Sequence, residues 1–136
     1  MPRRRKSAEE RFRALEEQHH QLAKRLAEIG PLYDGSVTTQ MLRCGKPSCA
    51  CHRDERRRHG PYTYWTTKVA GKTVSRKLLP DEAVLLEQWV GNRRDFDRTR
   101  KKMIALSRKM LPLALEVRAS SEAGRGVAGA SASEVF

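Results

Sequence analysis

The chain has 136 residues, of which 28 are lysine or arginine and 16 are aspartate or glutamate, so its formal net charge is +12. This length suits one small domain with extensions and excludes a large enzyme core, because single domains commonly contain about 100–150 residues. The positive charge favours a polyanionic partner, such as nucleic acid or an anionic membrane surface.

The sequence begins with a basic arm, residues 1–6, that no apolar stretch follows. Neither a secretory signal nor a membrane span is therefore expected, and we expect a cytoplasmic protein with no membrane partner. In that reducing compartment structural disulfides are disfavoured, and the three cysteines could not all pair within one chain.

Residues 7–30 carry the first helical pattern. Six residues recur at alternating steps of three and four, which is the a/d seam of a helix that packs against another helix. They are Phe12, Leu15, His19, Leu22, Leu26 and Ile29. Ser7 and Glu10 are spaced as a capping box at its start. Gly30-Pro31 ends the helix, because proline has no amide hydrogen and restricts the residue before it.

Residues 31–79 predict a small β unit around the cysteines. GSVTTQMLRC is rich in β-branched residues and predicts a strand that enters the cysteine loop. PYTYWTTKVAGKTVSRKLL predicts two further strands joined by a turn near Ala70-Gly71. We expect three antiparallel strands, with a bound metal adding the stability that so small a sheet lacks.

Residues 80–112 carry a second helical pattern, with Asp81 and Glu82 at the positive end of the helix dipole. Its seam residues are Leu85, Trp89, Asn92, Phe96, Thr99, Met103, Leu106 and Met110. The simplest arrangement is an antiparallel, coiled-coil-like hairpin of the two helices. The same seams also allow a homodimer, or ordinary amphipathic helices on a globular core. Pro112 is predicted to end the helix, and residues 113–136 are predicted to form a disordered tail.

All three cysteines lie within eight residues, as Cys44-x4-Cys49-x-Cys51, and a basic loop leads from them to His59. Structural zinc takes four nitrogen or sulfur ligands, and short loops with glycine and proline let thiolates approach one another. The pattern predicts structural Zn²⁺ bound by Cys44, Cys49, Cys51 and His59. His52 is the reserve fourth ligand, since its position next to Cys51 suits the same metal poorly. Free thiols and a Cys-x-Cys redox pair are the alternatives.

The segment from the first predicted strand to the third, followed by a basic helix, resembles a family of small uncharacterised prokaryotic proteins. That family is built around Cys-Gly-Lys-Pro-x-Cys-x-Cys, then His-Gly-Pro-Tyr, then a Gly-Lys hairpin, and the resemblance covers roughly residues 35–105. The matching residues are Cys44, Gly45, Lys46, Pro47, Cys49, Cys51, His59, Gly60, Pro61 and Tyr62. The resemblance favours His59 over His52. Members are often encoded in mobile elements beside transposase or recombinase genes, which implies a nucleic-acid setting.

The cations of the basic loop and the predicted hairpin lie near the aromatic residues Tyr62, Tyr64 and Trp65 in the sequence, as on surfaces that bind a phosphate backbone and stack on bases. The predicted nucleic-acid-binding residues are Arg53, Arg56, Arg57, Arg58, Tyr64, Lys68, Lys72, Arg76 and Lys77. The basic arm would add nonspecific phosphate contacts. DNA and RNA fit equally well. We therefore expect a zinc-binding accessory protein of a mobile element that binds DNA or RNA, with a transposase or recombinase as a further potential partner.

The expected fold class is α+β, and no enzyme activity is expected. The acidic residues lie mostly on the polar faces of two helices and do not converge as metal-dependent hydrolysis requires. A closed shell of three cysteines and one histidine would leave zinc no open position for water. The alternative function is a protein-interaction or self-association module built on the two heptad helices, with zinc purely structural and the charge serving solubility.

Overall fold

A computed structural model describes residues 2–124 of the chain. Its main elements are α1 (Ala8–Glu28), β1 (Ser36–Leu42), β2 (His59–Val69), β3 (Lys72–Lys77) and α2 (Pro80–Gly124). The three strands form one antiparallel sheet in the order β1-β2-β3, so the predicted α+β class and the predicted sheet are confirmed. None of the helices within residues 2–124 combines the length and the apolar composition that crossing a membrane requires.

The register of the sheet determines which side chains share a face. Tyr64 on the central strand β2 pairs with Lys77 on β3, and the next residue, Trp65, pairs with Arg76. Directly paired residues point to the same face, and successive residues point to opposite faces. One face, here called the tyrosine face, therefore carries Tyr62, Tyr64, Lys68 and Lys77. The other, called the tryptophan face, carries Trp65, Lys72 and Arg76.

The chain divides into two compact units, each described here by itself. The sheet unit is Ile29–Asp97 and contains the sheet and the first part of α2. The helical unit contains α1 and, from Arg98 onwards, the second part of α2.

Aromatic rings form the centre of the sheet unit. The Tyr33 ring lies 5.4 Å from the Trp65 ring and 6.4 Å from the Trp89 ring, measured between centroids. Leu78 and Val90 are buried in the same unit. The first part of α2 thus packs with the tryptophan face, because Trp89 belongs to that helix and Trp65 to β2.

The loop before β1 is tied to the strand beside it. The Trp65 indole Nε1 donates a hydrogen bond to the Asp34 carbonyl oxygen at 2.7 Å, and the Thr67 hydroxyl donates to the Asp34 carboxylate at 2.8 Å. Gly35 follows with a positive φ of 95°, in the left-handed region that favours glycine. The predicted seam residue Asn92 also has a local role, since its side-chain amide donates to the Pro31 carbonyl at 3.0 Å.

The solvent exposure of the α1 side chains agrees with the predicted heptad seam. All six predicted seam residues are half-buried, whereas most of their neighbours are exposed. The capping box is present, since the Glu10 amide donates to the Ser7 hydroxyl and the Ser7 amide donates to the Glu10 carboxylate, both at 3.1 Å. Leu22 lines one groove with Leu106, and Leu15 lines another with Leu113, which sets the two helical segments antiparallel. Coiled-coil packing of this pair remains a prediction.

The prediction that Pro112 ends the second helix is wrong, because α2 continues through this proline to Gly124. Residues 113–124 of the predicted tail are therefore helical, and residues 125–136 lie outside the described residues. The physical reason is that the seam of apolar residues on α2 continues beyond Pro112. Leu113 and Val117 follow Met110 at steps of three and four, and Leu113 is buried, with 6% of its surface exposed. Such burial offsets much of the roughly 3 kcal/mol that an internal proline costs.

The beginning of the second seam also differs from the prediction. Leu85 is 47% exposed, whereas Leu86 and Trp89 are half-buried. The first turns of α2 face the aromatic cluster of the sheet unit and do not follow a heptad seam. The side chain that is shielded from solvent there is therefore that of Leu86, one residue after the predicted Leu85.

Leu113→Ala is expected to lower the free energy of unfolding by about 2–5 kcal/mol, because it removes a buried side chain just beyond Pro112. Leu115→Ala is the matched control, since Leu115 is 56% exposed and its truncation should cost little. Urea unfolding followed by far-UV circular dichroism measures both variants. Equal unfolding midpoints would show that the helix does not pack beyond Pro112.

Candidate metal centre and basic surface

The cysteines and His59 meet at one end of the sheet. β1 ends just before Cys44, and its last residue, Leu42, pairs with His59, the first residue of β2. The antiparallel pairing therefore brings both ends of the cysteine loop together. Cys49 and Cys51 lie in the loop between them, with Cys51 in a short 3-10 helix, Ala50–His52. The four potential ligand atoms all lie within 4.8 Å of one another.

The spacing of these atoms suits a four-coordinate metal. Zinc bonds of about 2.3 Å to sulfur and about 2.0–2.1 Å to nitrogen, set at tetrahedral angles, separate two sulfurs by about 3.8 Å and a sulfur and a nitrogen by about 3.5 Å. The Sγ atoms of Cys44 and Cys51 are 3.6 Å apart, and Sγ of Cys49 is 3.4 Å from Nε2 of His59. The donor set therefore fits a tetrahedral ion.

Hydrogen bonds and burial affect the three cysteine side chains differently. The Cys44 amide donates to Sγ of Cys51 at 3.3 Å. A backbone hydrogen bond from Cys51, together with a side-chain hydrogen bond to His59, lowers the pKa of the Cys49 thiol to about 6. Burial raises the pKa of the Cys51 thiol, whose residue is only 1% exposed. A buried thiolate at Cys51 is thus costly without a cation beside it, which a metal ion would supply.

His52 lies outside the ligand cluster. Its Nε2 is 2.7 Å from the Cys44 carbonyl oxygen, so this nitrogen donates a hydrogen bond to the loop backbone. His59 is the histidine that lies with the three cysteines, in agreement with the preferred ligand set. The hydrogen bond from His52 instead stabilises the backbone of the segment that carries Cys44.

The arginine loop between the cysteines and β2 is ordered by local hydrogen bonds. The Asp54 carboxylate accepts a hydrogen bond from the Arg56 amide at 3.0 Å and caps a second 3-10 helix, Glu55–Arg57. Arg53, Arg56 and Arg57 are exposed, although Arg57 Nε lies 3.9 Å from an Asp54 oxygen. Arg58 differs, because its side chain is only 29% exposed and one of its Nη atoms contacts Glu55. Three of the four predicted loop arginines are therefore open to solvent.

Three predicted binding residues lie on the tyrosine face, namely Tyr64, Lys68 and Lys77. Lys77 also lies over the ring of Tyr62, with Nζ 4.1 Å from the ring centroid. Tyr62 was not among the predicted binding residues. Its period-two spacing with Tyr64 was the available signal, since alternate residues of a strand share a face.

Lys72 and Arg76 lie on the opposite, tryptophan face. Arg76 forms an ion pair with Glu82 of α2, so its charge is already matched within the chain. The nine predicted binding residues therefore do not form one surface. The arginine loop and the tyrosine face remain as candidate contacts.

The positive charge is concentrated on the segment that surrounds the cysteines. Residues 35–79 contain ten lysines and arginines but only two acidic residues, which gives this segment a net charge of +8 out of the total of +12. Binding of a divalent ion to three thiolates would add only a single negative charge. Residues 35–79 are thus strongly positive with or without the metal.

Comparison with known families places this segment in a recognised domain. Residues 12–88 match the model of a domain of unknown function, DUF6788. The match covers more than half of the chain and runs from α1 through the whole sheet and all four cluster residues to the first turns of α2. A search of curated proteins and a search of solved structures found no match. The chain belongs to the DUF6788 family.

Proposed function

We propose that this protein is a zinc-binding accessory protein that binds nucleic acid through its metal-clamped sheet unit. The observation that carries the proposal is the concentration of positive charge in the sheet and its cysteine loop, since residues 35–79 contain ten basic residues and two acidic ones. Surfaces of this kind bind phosphate backbones and release counterions on doing so.

Zinc is the metal that the donor set suits best. Three sulfurs and an imidazole nitrogen are soft or intermediate ligands, whereas calcium and magnesium prefer oxygen. Four protein ligands would complete a tetrahedron, which is typical of structural zinc and leaves no position for a reacting water. The proposed role of the ion is therefore to hold the loop and the sheet together, and no enzyme activity is proposed.

The ligand cluster and the proposed binding surface share one strand. His59 begins β2, and Tyr62, three residues later, is the first member of the tyrosine face. The arginine loop leaves the cluster at Cys51 and returns to it at His59, so one metal ion would anchor both ends of it. The arginines would contact phosphates, and the exposed parts of the tyrosine rings would stack on bases.

The cellular setting is proposed from the resemblance to proteins encoded beside transposase or recombinase genes. In that setting the protein would act in the cytoplasm on DNA or RNA of a mobile element, with a transposase or recombinase as a further partner. Association through the helices, including a homodimer, is the competing function, and the binding experiment below separates the two.

Affinity for a nucleic-acid duplex is expected to fall steeply with salt. If about five phosphates are neutralised, log affinity should change with log salt at a slope of about −4 to −5, since each contact contributes about −0.9. Arg53→Gln combined with Arg56→Gln should flatten that slope by about 1.8, because both arginines are exposed and form no ion pair with the described residues. Fluorescence anisotropy with DNA and RNA at several salt concentrations measures the slopes.

The matched control is Arg13→Gln combined with Arg118→Gln, which removes the same charge from two arginines that pair with Glu9 and Glu122. Its slope should remain close to that of the wild type, and both variants should retain the metal. If the wild type binds neither DNA nor RNA at low salt, the proposal is wrong and the helical interaction module becomes the better account.

A further inference from the structure

The second part of α2 carries a basic band that the proposed surface does not include. No acidic residue occurs from residue 98 to residue 115, where six are basic. Lys101, Lys102, Arg108 and Lys109 are exposed there, and none of these four forms an ion pair with a residue in the part of the chain that the structure describes. Other basic residues of the helices do form ion pairs, as Arg13 does with Glu9.

The spacing of the four cations aligns them along one side of the helix. Lys101 and Arg108 are seven residues apart, as are Lys102 and Lys109, so each pair lies on one side and spans about 10 Å of helix. Ala105 lies midway and is exposed. Because its side chain is only a methyl group, a ligand can approach the helix closely between the two ends of the band.

No acidic residue lines the two grooves that the band shares with α1, although Glu17 accepts a hydrogen bond from Gln21 at 2.7 Å beside one of them. Lys109 shares a groove with Lys6 and Arg11, and Lys102 shares the next groove with Gln18 and Gln21. α1 contains five glutamates within Ala8–Glu28, but neither groove is lined by any of them. Two grooves in succession thus present cations and neutral amides, although α1 and its capping residue Ser7 together are net acidic.

We infer that this side of the helical unit is a second nucleic-acid surface, which binds the phosphate backbone of a duplex. The inference rests on the proposed function and extends it to another part of the chain. The cations at the two ends of the band are about 10 Å apart along the helix, close to the roughly 12 Å width of a DNA major groove. They can therefore reach phosphates on both sides of one groove, while the amide of Gln18 donates a further hydrogen bond.

Lys102→Gln combined with Lys109→Gln tests the inference on the full chain with its metal bound. The salt slope of binding to a DNA duplex should flatten by about 1.8, since two phosphate contacts are lost. Arg13→Gln combined with Arg118→Gln, which removes equal charge from the same unit, should leave the slope nearly unchanged. Far-UV circular dichroism checks that both variants keep their helical content.

The outcomes distinguish this inference from the proposed function. If the arginine-loop variant flattens the slope but the lysine variant behaves like its control, the second surface does not exist and the proposed function stands. If the lysine and control variants flatten the slope equally, net charge alone is responsible and the inference fails. If the wild type does not bind a duplex at all, both ideas fail together.

Discussion

Cys49→Ser is expected to abolish stoichiometric metal binding and to unfold the sheet unit, while much of the helical signal remains. Structural zinc contributes about 10–16 kcal/mol in small zinc-binding peptides, as much as the whole stability of a typical domain. The sheet has only three strands, and few of its residues are fully buried, so its own packing offers little to replace that contribution. Elemental analysis measures the metal, and tryptophan fluorescence reports the unit, since Trp65 and Trp89 both belong to it.

His52→Ala is the control for that experiment. His52 donates a hydrogen bond to the Cys44 carbonyl and lies outside the cluster, so this variant should keep one metal ion per chain and lose only some stability. A Cys49→Ser variant that folds normally without metal would show that the ion is dispensable. Loss of the metal in His52→Ala with retention in His59→Ala would reverse the assignment of the fourth ligand.

Gly35→Ala is expected to destabilise the sheet unit by about 2–5 kcal/mol, because backbone strain adds to a lost hydrogen bond. A Cβ at this position would lie 2.6 Å from the Thr66 carbonyl oxygen and 2.6 Å from Nε1 of Trp65. The carbonyl belongs to the backbone of the central strand and cannot rotate away. Trp65 would therefore have to move and give up its hydrogen bond to Asp34.

Gly71→Ala separates the free-energy cost of backbone strain from that of the steric clash. Gly71 also has a positive φ, 78°, but a Cβ there would meet no atom within 4 Å. Its substitution should cost only the conformational part, about 1–2 kcal/mol. Urea unfolding followed by tryptophan fluorescence compares the two variants. Similar midpoints would mean that the loop at Gly35 is not held against Trp65.

Local patterns were sufficient to predict much of the sheet and the candidate metal centre. The period-two alternation around Tyr64 and Trp65 predicts a strand from neighbouring residues alone. The close spacing of the cysteines likewise limits how far apart their sulfurs can lie. Both features depend on short stretches of chain, where the sequence leaves few geometric alternatives.

Features that depend on tertiary packing were not predictable in the same way. Pro112 disfavours a helix locally, and only the packing that buries Leu113 outweighs that preference. Strand alternation alone places Arg76 and Lys77 on opposite faces, but the pairing of Arg76 with Glu82 depends on where α2 packs. Tyr33 likewise joins the aromatic cluster through contacts that no repeat in the sequence indicates.

Residues 35–79 contain ten basic residues and only two acidic ones, and this excess of positive charge also affects folding. Like charges held close together in the compact state repel one another, and they separate when the chain unfolds. Dissolved salt screens that repulsion over a distance of about 10 Å at 0.1 M. The segment of residues 35–79 should therefore become more stable as ionic strength rises, the opposite of a fold that depends on surface ion pairs. Salt would then act in two directions on this molecule, strengthening the fold while weakening any contact with a polyanion.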